Sequence, residues 1–276
     1  MRFLAVFLLI SSISMGQGIY HAKITDVSTK TGIPFASIGI KGKNIGTVAN
    51  DKGDFELNIL KCDEDDTLKV SAIGYKTKAF TISEARQGMS KVILLEPSVV
   101  KLDEVVVISK KVKRKVLGTS KYSTRNCSAF MGTDGNWKGE EAAIRANNEK
   151  GKYVFIEDFN FYIVQNKYED SLVFRLMLYS VTSKNLPGET FLKKPIIFKT
   201  TVKSGIVHVD LKQYNITYND DFFISLECLM DKMEQTKFCF AGSVKVPSYV
   251  KTSTFMNWYK VRGGGADLNV TVSYLK

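Results

Sequence analysis

The chain has 276 residues, of which 44% are hydrophobic, and it carries a formal net charge of +11 at pH 7. This length exceeds what one small core needs and fits two domains, and the apolar content is ordinary for a globular protein. After the first residues no apolar run is long enough to cross a bilayer, so we expect no transmembrane span.

The first 16 residues have the organisation of a secretory signal peptide. Arg2 supplies a positive charge, residues 3–10 form an apolar segment too short to span a membrane, and residues 14–16 offer a small-residue cleavage site. A buried first helix is the alternative, but the single positive charge and the small residues at the cleavage site favour a signal peptide. We therefore expect the mature chain to begin near Gln17 and to be exported. Export makes nucleic acid an unexpected partner.

Residues 17–97 are predicted to form a β-sandwich. Short β-type runs alternate with turn residues at intervals of about 8–12 residues, which is typical of a sandwich or barrel. Asp51 and Gly53 have hairpin chemistry, in which the glycine takes positive φ and the Asp side chain closes the turn. Calcium binding is the alternative, but the distal glutamate of an EF-hand is missing. The predicted strands are residues 20–25, 33–40, 54–60, 68–73 and 91–95.

The same region carries a specific family resemblance. It rests on residues 22–26 (AKITD), 31–36 (TGIPFA), 46–55 (GTVANDKGDF) and 70–75 (VSAIGY). These segments resemble the carboxypeptidase-like regulatory domain family, and Asn50 stands where that family often has aspartate. The resemblance implies a non-catalytic, transthyretin-like β-sandwich. Such domains occur as accessories of carboxypeptidases and as N-terminal extensions of TonB-dependent outer-membrane receptors.

Residues 102–107 (LDEVVV) are similar to the connector that precedes the plug in those receptors. The residues that remain are too few for a plug and a barrel, so we do not expect the chain itself to be a transporter. The resemblance implies a location in the periplasm or cell envelope of a diderm bacterium. It also implies one alternative function, an accessory subunit of a TonB-dependent outer-membrane transport or signalling complex.

Residues 98–150 are predicted to be a basic, polar linker without sustained periodicity. A basic run of this kind is usually a solvated linker, and anionic polysaccharide or lipid headgroups are the alternative partners. One short helix is predicted for residues 140–146. The basic residues of the run are Lys110, Lys111, Lys113, Arg114 and Lys115.

Residues 151–276 are predicted to form a second β domain. Around eight strands without helices favour a sandwich of the jelly-roll kind, and residues 172–179 alternate so that one face is apolar. Segments such as 174–176 and 209–211 resemble an uncharacterised region of exported bacterial proteins, which implies architecture but no reaction. Residues 263–265 are expected to form a flexible loop. The expected fold class of the whole chain is all-β.

The sequence contains no recognisable catalytic or metal-ligating constellation. A hydrolase needs a nucleophile with a base, a metal or two placed carboxylates. His21 and His208 are the only histidines, and both lie in strand-like runs. We therefore expect no catalytic residues, no metal site and no cofactor. In an oxidising compartment Cys228 and Cys239 are candidates for a disulfide between neighbouring strands, although free cysteines also occur in cores.

A non-enzymatic binding or structural module of the envelope is the function that these patterns favour. β-Sandwiches recognise glycans through exposed aromatic side chains that stack on sugar faces. Trp137, Trp258 and Tyr259 lie in loop-like or edge-like places and are the candidate ligand-binding residues, although aromatics are more often core. The expected partner is a glycan or an outer-membrane protein.

Overall fold

A computed structural model of the chain describes residues 18–87, 91–98, 112–119, 121–130, 137–149, 151–262 and 265–275. The regular secondary structure of these residues is almost entirely β-strand, which confirms the predicted all-β class. The predicted signal peptide (residues 1–16) and the connector (residues 102–107) lie outside the described residues. In the described part of the chain, no helix has the length and apolar character needed to cross a bilayer.

The N-terminal part of the fold is a sandwich of two small sheets, which confirms the predicted β-sandwich. One sheet has the order β4-β1-β7 and the other β3-β2-β5-β6. Their facing sides bury a common apolar core that includes Ile24, Ile38 and Leu68. The strands are β1 (Ile19–Asp26), β2 (Ser37–Ile40), β3 (Gly46–Val48), β4 (Asp54–Asn58), β5 (Thr67–Ser71), β6 (Lys78–Thr81) and β7 (Val92–Leu95), and helix α1 (Ile82–Arg86) lies between the last two.

The later part of the chain forms two larger sheets. Their strands are β8 (Val112–Gly118), β9 (Cys127–Ser128), β10 (Glu141–Ala146), β11 (Val154–Asn166), β12 (Leu172–Val181), β13 (Pro187–Thr190), β14 (Ile196–Thr200), β15 (Gly205–Asp210), β16 (Thr217–Tyr218), β17 (Phe222–Cys228), β18 (Phe238–Ser243), β19 (Ser248–Lys251), β20 (Tyr259–Val261), β21 (Gly265–Ala266) and β22 (Leu268–Leu275), and a 3₁₀ helix spans Lys212–Tyr214. The seven-stranded sheet runs β13-β12-β17-β10-β19-β20, with β14 also on β12. The eight-stranded sheet runs β21-β18-β11-β22-β8, with β15 and β16 on β11 and β9 on β18.

The main core lies between these two sheets, because alternate side chains of each long strand point inward. Phe159 and Phe161 of β11 are fully buried, and the ring of Phe161 packs edge-on against Phe174 of β12 at 5.8 Å between centroids. The other side of each sheet is directed away from this core. Both outer faces carry polar side chains, and they hold the sites described below. The jelly-roll topology stays a prediction.

Strands β8, β9 and β10 lie inside the region predicted to be a linker. The helix predicted for residues 140–146 is wrong, because Glu141–Ala146 is strand β10, paired with β17 on one side and β19 on the other. All of its residues except Arg145 are buried, as expected for a central strand rather than an amphipathic helix. Part of the basic run, residues 113–115, lies on β8, which pairs with β22 at the edge of the eight-stranded sheet.

The hairpin turn before β4 is present, but a different side chain closes it. Gly53 has φ +84°, as predicted. The carboxamide of Asn50 accepts the backbone N–H groups of Lys52 and Asp54, both at 2.9 Å. The prediction that Asp51 closes the turn is therefore wrong: its side chain is exposed, and the residue one position earlier has the reach that the turn requires.

Candidate functional site

Four charged side chains form a row across the outer face of the seven-stranded sheet. Strand pairing places Arg175 opposite Glu227, Glu227 opposite Glu141, and Glu141 opposite Lys251. Residues directly opposite each other in neighbouring strands point to the same side of a sheet. The charged row therefore has two adjacent carboxylates in its middle and one cation at each end, an order that offsets the repulsion between the carboxylates.

Short hydrogen bonds and ion pairs hold the charged row together. Arg175 donates to both carboxylate oxygens of Glu227, over 2.6 and 2.7 Å. Lys251 Nζ lies 2.6 Å from Glu141 Oε1. Arg175 is only 4% exposed and Glu227 only 1%, so this bidentate pair is shielded from water. Breaking such a pair by removing one partner costs much more than breaking a surface pair.

Two hydroxyl groups complete the surroundings of Glu141. Tyr179 donates to Glu141 Oε2 at 2.8 Å and Ser225 donates to the same oxygen at 2.9 Å. Burial, followed by the negative charges of Glu141 and Glu227, raises the pKa of Tyr179 well above its ordinary value. Tyr179 therefore keeps its proton at neutral pH and donates a hydrogen bond to Glu141.

Burial also shifts the acid–base balance of the Arg175–Glu227 pair. Burial raises the pKa of Glu227, while the charge and hydrogen bonds of Arg175 act in the opposite direction. For Arg175 burial acts to lower the pKa, but Glu227 outweighs it and the pKa is raised. We assign an ionised carboxylate to Glu227, because a bidentate guanidinium at these distances favours the charged form. The pair is thus neutral as a unit.

The N-terminal sandwich covers the Arg175 end of the charged row. Arg175 Nη1 donates to the backbone oxygen of Phe35 at 2.6 Å, and Nη2 donates to Ser37 Oγ at 2.8 Å. One buried guanidinium therefore binds Glu227 of its own sheet and two groups of the other sandwich. We use the term domain junction for these contacts together with those of residues 252–255.

Residues 252–255 bind the β2–β3 hairpin from the other side of the domain junction. Thr254 Oγ1 donates to the backbone oxygen of Ile38. Gly42 N donates to the backbone oxygen of Phe255 at 3.1 Å, and the ammonium of Lys69 lies 5.0 Å from the centre of the Phe255 ring. The contact therefore combines backbone, side-chain and cation–aromatic interactions.

Glycine residues let the two parts approach closely at the domain junction. A Cβ atom on Gly39 would lie 2.6 Å from the backbone oxygen of Thr254, and one on Gly46 would collide with the side-chain oxygens of Thr254 and Ser253. Phe35 and Phe255 both adopt left-handed backbone conformations, with φ 55° and 60°. A bulky residue in that region costs of order 1–3 kcal/mol. The carbonyl oxygen of each of these two phenylalanines accepts a hydrogen bond from the other domain, so the strained conformations contribute to the junction contacts.

Comparison with known proteins identifies the N-terminal part. Residues 21–107 match the family model of the CarboxypepD_reg-like domain. This part of the chain is a regulatory-like domain of that family. The match confirms the resemblance given by the sequence, and it extends over the regulatory-like sandwich and the connector. A search of curated proteins found no match.

Solved structures offer only remote similarity. The chain is similar to the infectious bursal disease virus VP2 subviral particle, with a TM-score of 0.30 and 9% identity over 93% of this chain and 63% of that chain. It is also similar to a structure of the Gx strain of that virus, with a TM-score of 0.31 and 8% identity over 92% of this chain and 60% of that chain. The chain thus spans less than two thirds of these viral chains, and TM-scores of this size establish no shared fold.

The three aromatic residues predicted to bind ligand are not brought together. Trp137 is 2% exposed and packs against Phe130 in the main core, so its assignment to a surface binding site is wrong. Trp258 is half-buried on the outer face of the seven-stranded sheet, where it contacts Tyr179 edge-on. Tyr259 is 38% exposed and pairs with the inward-facing Val250, which places its side chain on the other side of that sheet.

The predicted Cys228–Cys239 disulfide is wrong. Cys239 forms a disulfide with Cys127 instead, and Cys228 is a buried free thiol close to Met233. The reason is topological: β9 pairs with β18, which brings Cys127 beside Cys239, whereas β17 with Cys228 belongs to the other sheet. Burial raises the pKa of the Cys228 thiol and makes it unreactive.

The two histidines lie on the surface, and neither belongs to the sheet that carries the charged row. His21 Nδ1 lies 3.2 Å from a carboxylate oxygen of Glu56, and His208 Nδ1 lies 2.8 Å from Asn160 Oδ1. Among the described residues, no group of three or more His, Cys, Asp or Glu is placed to hold a metal ion. The contacts within the charged row are salt bridges and hydrogen bonds.

Sequence reasoning missed the charged row, although a signal was present. Arg175 interrupts the apolar run of β12, and Glu227 is the one charged residue of the mostly apolar β17. Charges in strands that are buried on both faces indicate a partner of opposite sign. What the pattern lacked was strand order, since the two residues are 52 positions apart.

Proposed function

We propose that the protein is a non-enzymatic, exported protein of the cell envelope that acts as a binding module, with glycan as its ligand class. The charged row carries the non-enzymatic part of this proposal. Both of its carboxylates are buried, and each is bound by donors from its own chain: Glu227 by Arg175, and Glu141 by Lys251 and two hydroxyls. An acid–base catalyst needs a group that can exchange a proton with substrate. The regulatory-like domain itself belongs to a non-catalytic family.

The disulfide supports the export part of the proposal. Cys127 and Cys239 are 112 positions apart, and their bond ties β9 to the eight-stranded sheet. Disulfides form and persist in oxidising compartments and are rare in the cytosol. Together with the signal-like N-terminus, this bond favours the periplasm or cell envelope as the location.

The test is retention of the purified full chain by polysaccharides embedded in a native gel. A panel of neutral glucans, xylan and alginate samples the main backbone types, and bovine serum albumin serves as the unretained reference. We expect retardation by at least one polysaccharide, with no release of reducing sugar. Absence of retardation across the panel contradicts glycan binding, and turnover that co-purifies with the protein contradicts the non-enzymatic part.

A second candidate is an accessory subunit of a TonB-dependent outer-membrane complex. The observation that favours it is the family match through residue 107, which includes the receptor-like connector at residues 102–107. Affinity capture from envelope extract separates the candidates: recovery of a receptor protein, lost when residues 102–107 are replaced by a Gly-Ser segment of equal length, favours the accessory role. Recovery that is unchanged by the replacement counts against it.

A further inference from the structure

The outer face of the eight-stranded sheet carries a compact polar surface of its own. Strand pairing places Asn160 between His208 on β15 and Asn269 on β22. All three point away from the core, because their neighbours Phe159 and Phe161 point into it. We use the term polar face for the cluster of His208, Asn160, Asp158, Asn269, Tyr162 and Tyr122, in which Asn269, only 5% exposed, is the buried member.

Hydrogen bonds fix the planar groups of the polar face. Asn160 Oδ1 is 2.8 Å from His208 Nδ1, and Asn160 Nδ2 donates to Asp158 Oδ1 at 2.7 Å. Asn269 donates to Tyr122 OH at 2.8 Å and to the backbone oxygen of Thr119 at 2.8 Å. These side chains are therefore held in one arrangement by rigid strands, unlike the long mobile side chains of an ordinary solvated face. Such pre-organisation reduces the entropy lost on binding.

An aromatic pair borders this network. The rings of Tyr122 and Tyr162 lie 5.8 Å apart at an angle of 35°, and both side chains are half-buried. Tyr162 points to the same side of β11 as Asn160, two residues earlier. Two partly exposed tyrosine rings thus lie beside fixed donors and acceptors. His208 is exposed and forms the rim.

We propose that the polar face is the saccharide-binding site of the protein and that it takes a neutral saccharide. Sugar hydroxyls both donate and accept hydrogen bonds, which suits fixed amide, carboxylate and imidazole groups. The carbon–hydrogen face of the ring suits a tyrosine plane. Asp158 and Asp210 lie opposite each other on this face, so an acidic polysaccharide would meet like charges. The inference rests on the proposed glycan-binding function and gives that function its residues.

The experiment measures affinity of the full chain for dextran, a β-1,3-glucan, xylan and alginate by native affinity electrophoresis, in wild type and variants. We expect a neutral polysaccharide to bind. His208→Ala, which removes one exposed contact, weakens that binding by about fivefold. Tyr162→Ala weakens it by about tenfold, while Tyr162→Phe, which keeps the ring, stays within about twofold of wild type. Trp258→Ala tests the alternative candidate on the other sheet, and Tyr153→Ala, which removes an exposed tyrosine outside the polar face, is the matched control and leaves binding unchanged.

Urea unfolding separates a binding role from a structural one. His208→Ala leaves the unfolding midpoint in place, because the side chain is exposed and its hydrogen bond to Asn160 lies at the surface. If wild type binds and His208→Ala and Tyr162→Ala bind equally well, or if only Trp258→Ala loses binding, the polar face is refuted while glycan binding stands. Binding of alginate alone refutes the neutral saccharide. If wild type binds no polysaccharide, the proposed function and this site fail together.

Discussion

Replacement of Arg175 by methionine tests the domain junction most directly. Arg175 makes four hydrogen bonds, two to Glu227 and one each to Phe35 O and Ser37 Oγ. Methionine keeps most of the volume but donates to none of them. The variant leaves the carboxylate of Glu227 buried without its cation, which costs about 3–5 kcal/mol of the free energy of unfolding.

A second substitution separates the charge from the contacts across the junction. In Arg175→Met with Glu227→Leu, the unpaired carboxylate is gone, and only Phe35 O and Ser37 Oγ lack their donor. We expect the double variant to remain about 1–3 kcal/mol less stable than wild type. It should nevertheless be more stable than Arg175→Met alone, because well-packed apolar groups replace a buried ion pair at little cost.

The assay is equilibrium unfolding in urea, followed by fluorescence and by circular dichroism. Lys237→Met is the control, since Lys237 forms a 2.7 Å ion pair with Glu234 at the surface, where both side chains are about half exposed. We expect no measurable change from it. A loss below about 1 kcal/mol for Arg175→Met, or a double variant less stable than the single one, would refute the assigned role of the pair.

Three further predictions follow from other parts of the structure. Gly46→Ala should lower the free energy of unfolding by about 1–3 kcal/mol, because the new methyl group collides with Thr254. In urea unfolding, the double variant Gly46→Ala with Thr254→Ala should lose less stability than the two single variants lose in sum. Replacing Cys127 and Cys239 by serine should cost about 2–5 kcal/mol, and peptide mapping without reductant should show these two residues linked. The backbone N–H of Thr29 lowers the pKa of Asp26, although burial acts in the opposite direction. The stability that this carboxylate adds is therefore present above its ordinary pKa of about 4, and it is lost as the pH falls through the lower pKa of the folded state. Asp26→Asn should accordingly show a smaller drop in urea midpoint between pH 7 and pH 3 than wild type, and an equal drop would contradict this.

Local patterns predicted much of the fold because their causes are local. Short β-type runs between turn residues predicted β1 and β4, period-two alternation predicted β12, and the Gly53 turn follows from the freedom of glycine at positive φ. The sequence also contains a local signal for helix α1, which was not predicted: Thr81 and Glu84 form a capping box, in which Thr81 Oγ1 accepts the N–H of Glu84. Strand β2 begins at Ser37 rather than at residue 33, since Phe35 takes a left-handed conformation before it.

The errors concern features that depend on which strands are neighbours. Cys127 pairs with Cys239 because β9 lies beside β18, and the spacing of cysteines in the sequence contains no such information. Residues 141–146 read as a helix by propensity, since alanine and glutamate favour helices, but their pairing with β17 and β19 overrides that preference. Trp137 illustrates the same limit: a loop-like sequence neighbourhood does not reveal burial against Phe130.

The domain junction also restricts how the regulatory-like domain can meet a partner. Its β2–β3 hairpin is occupied by Arg175 and by residues 252–255, with Gly39 and Gly46 in close approach. A partner that bound this side would have to replace the contacts of the N-terminal sandwich with the buried, bidentate Arg175–Glu227 pair, which is unfavourable by several kcal/mol. The sheet β4-β1-β7 packs on the far side of the same sandwich core. We therefore expect an envelope partner to bind that sheet, whereas the proposed saccharide site lies on the polar face of the eight-stranded sheet.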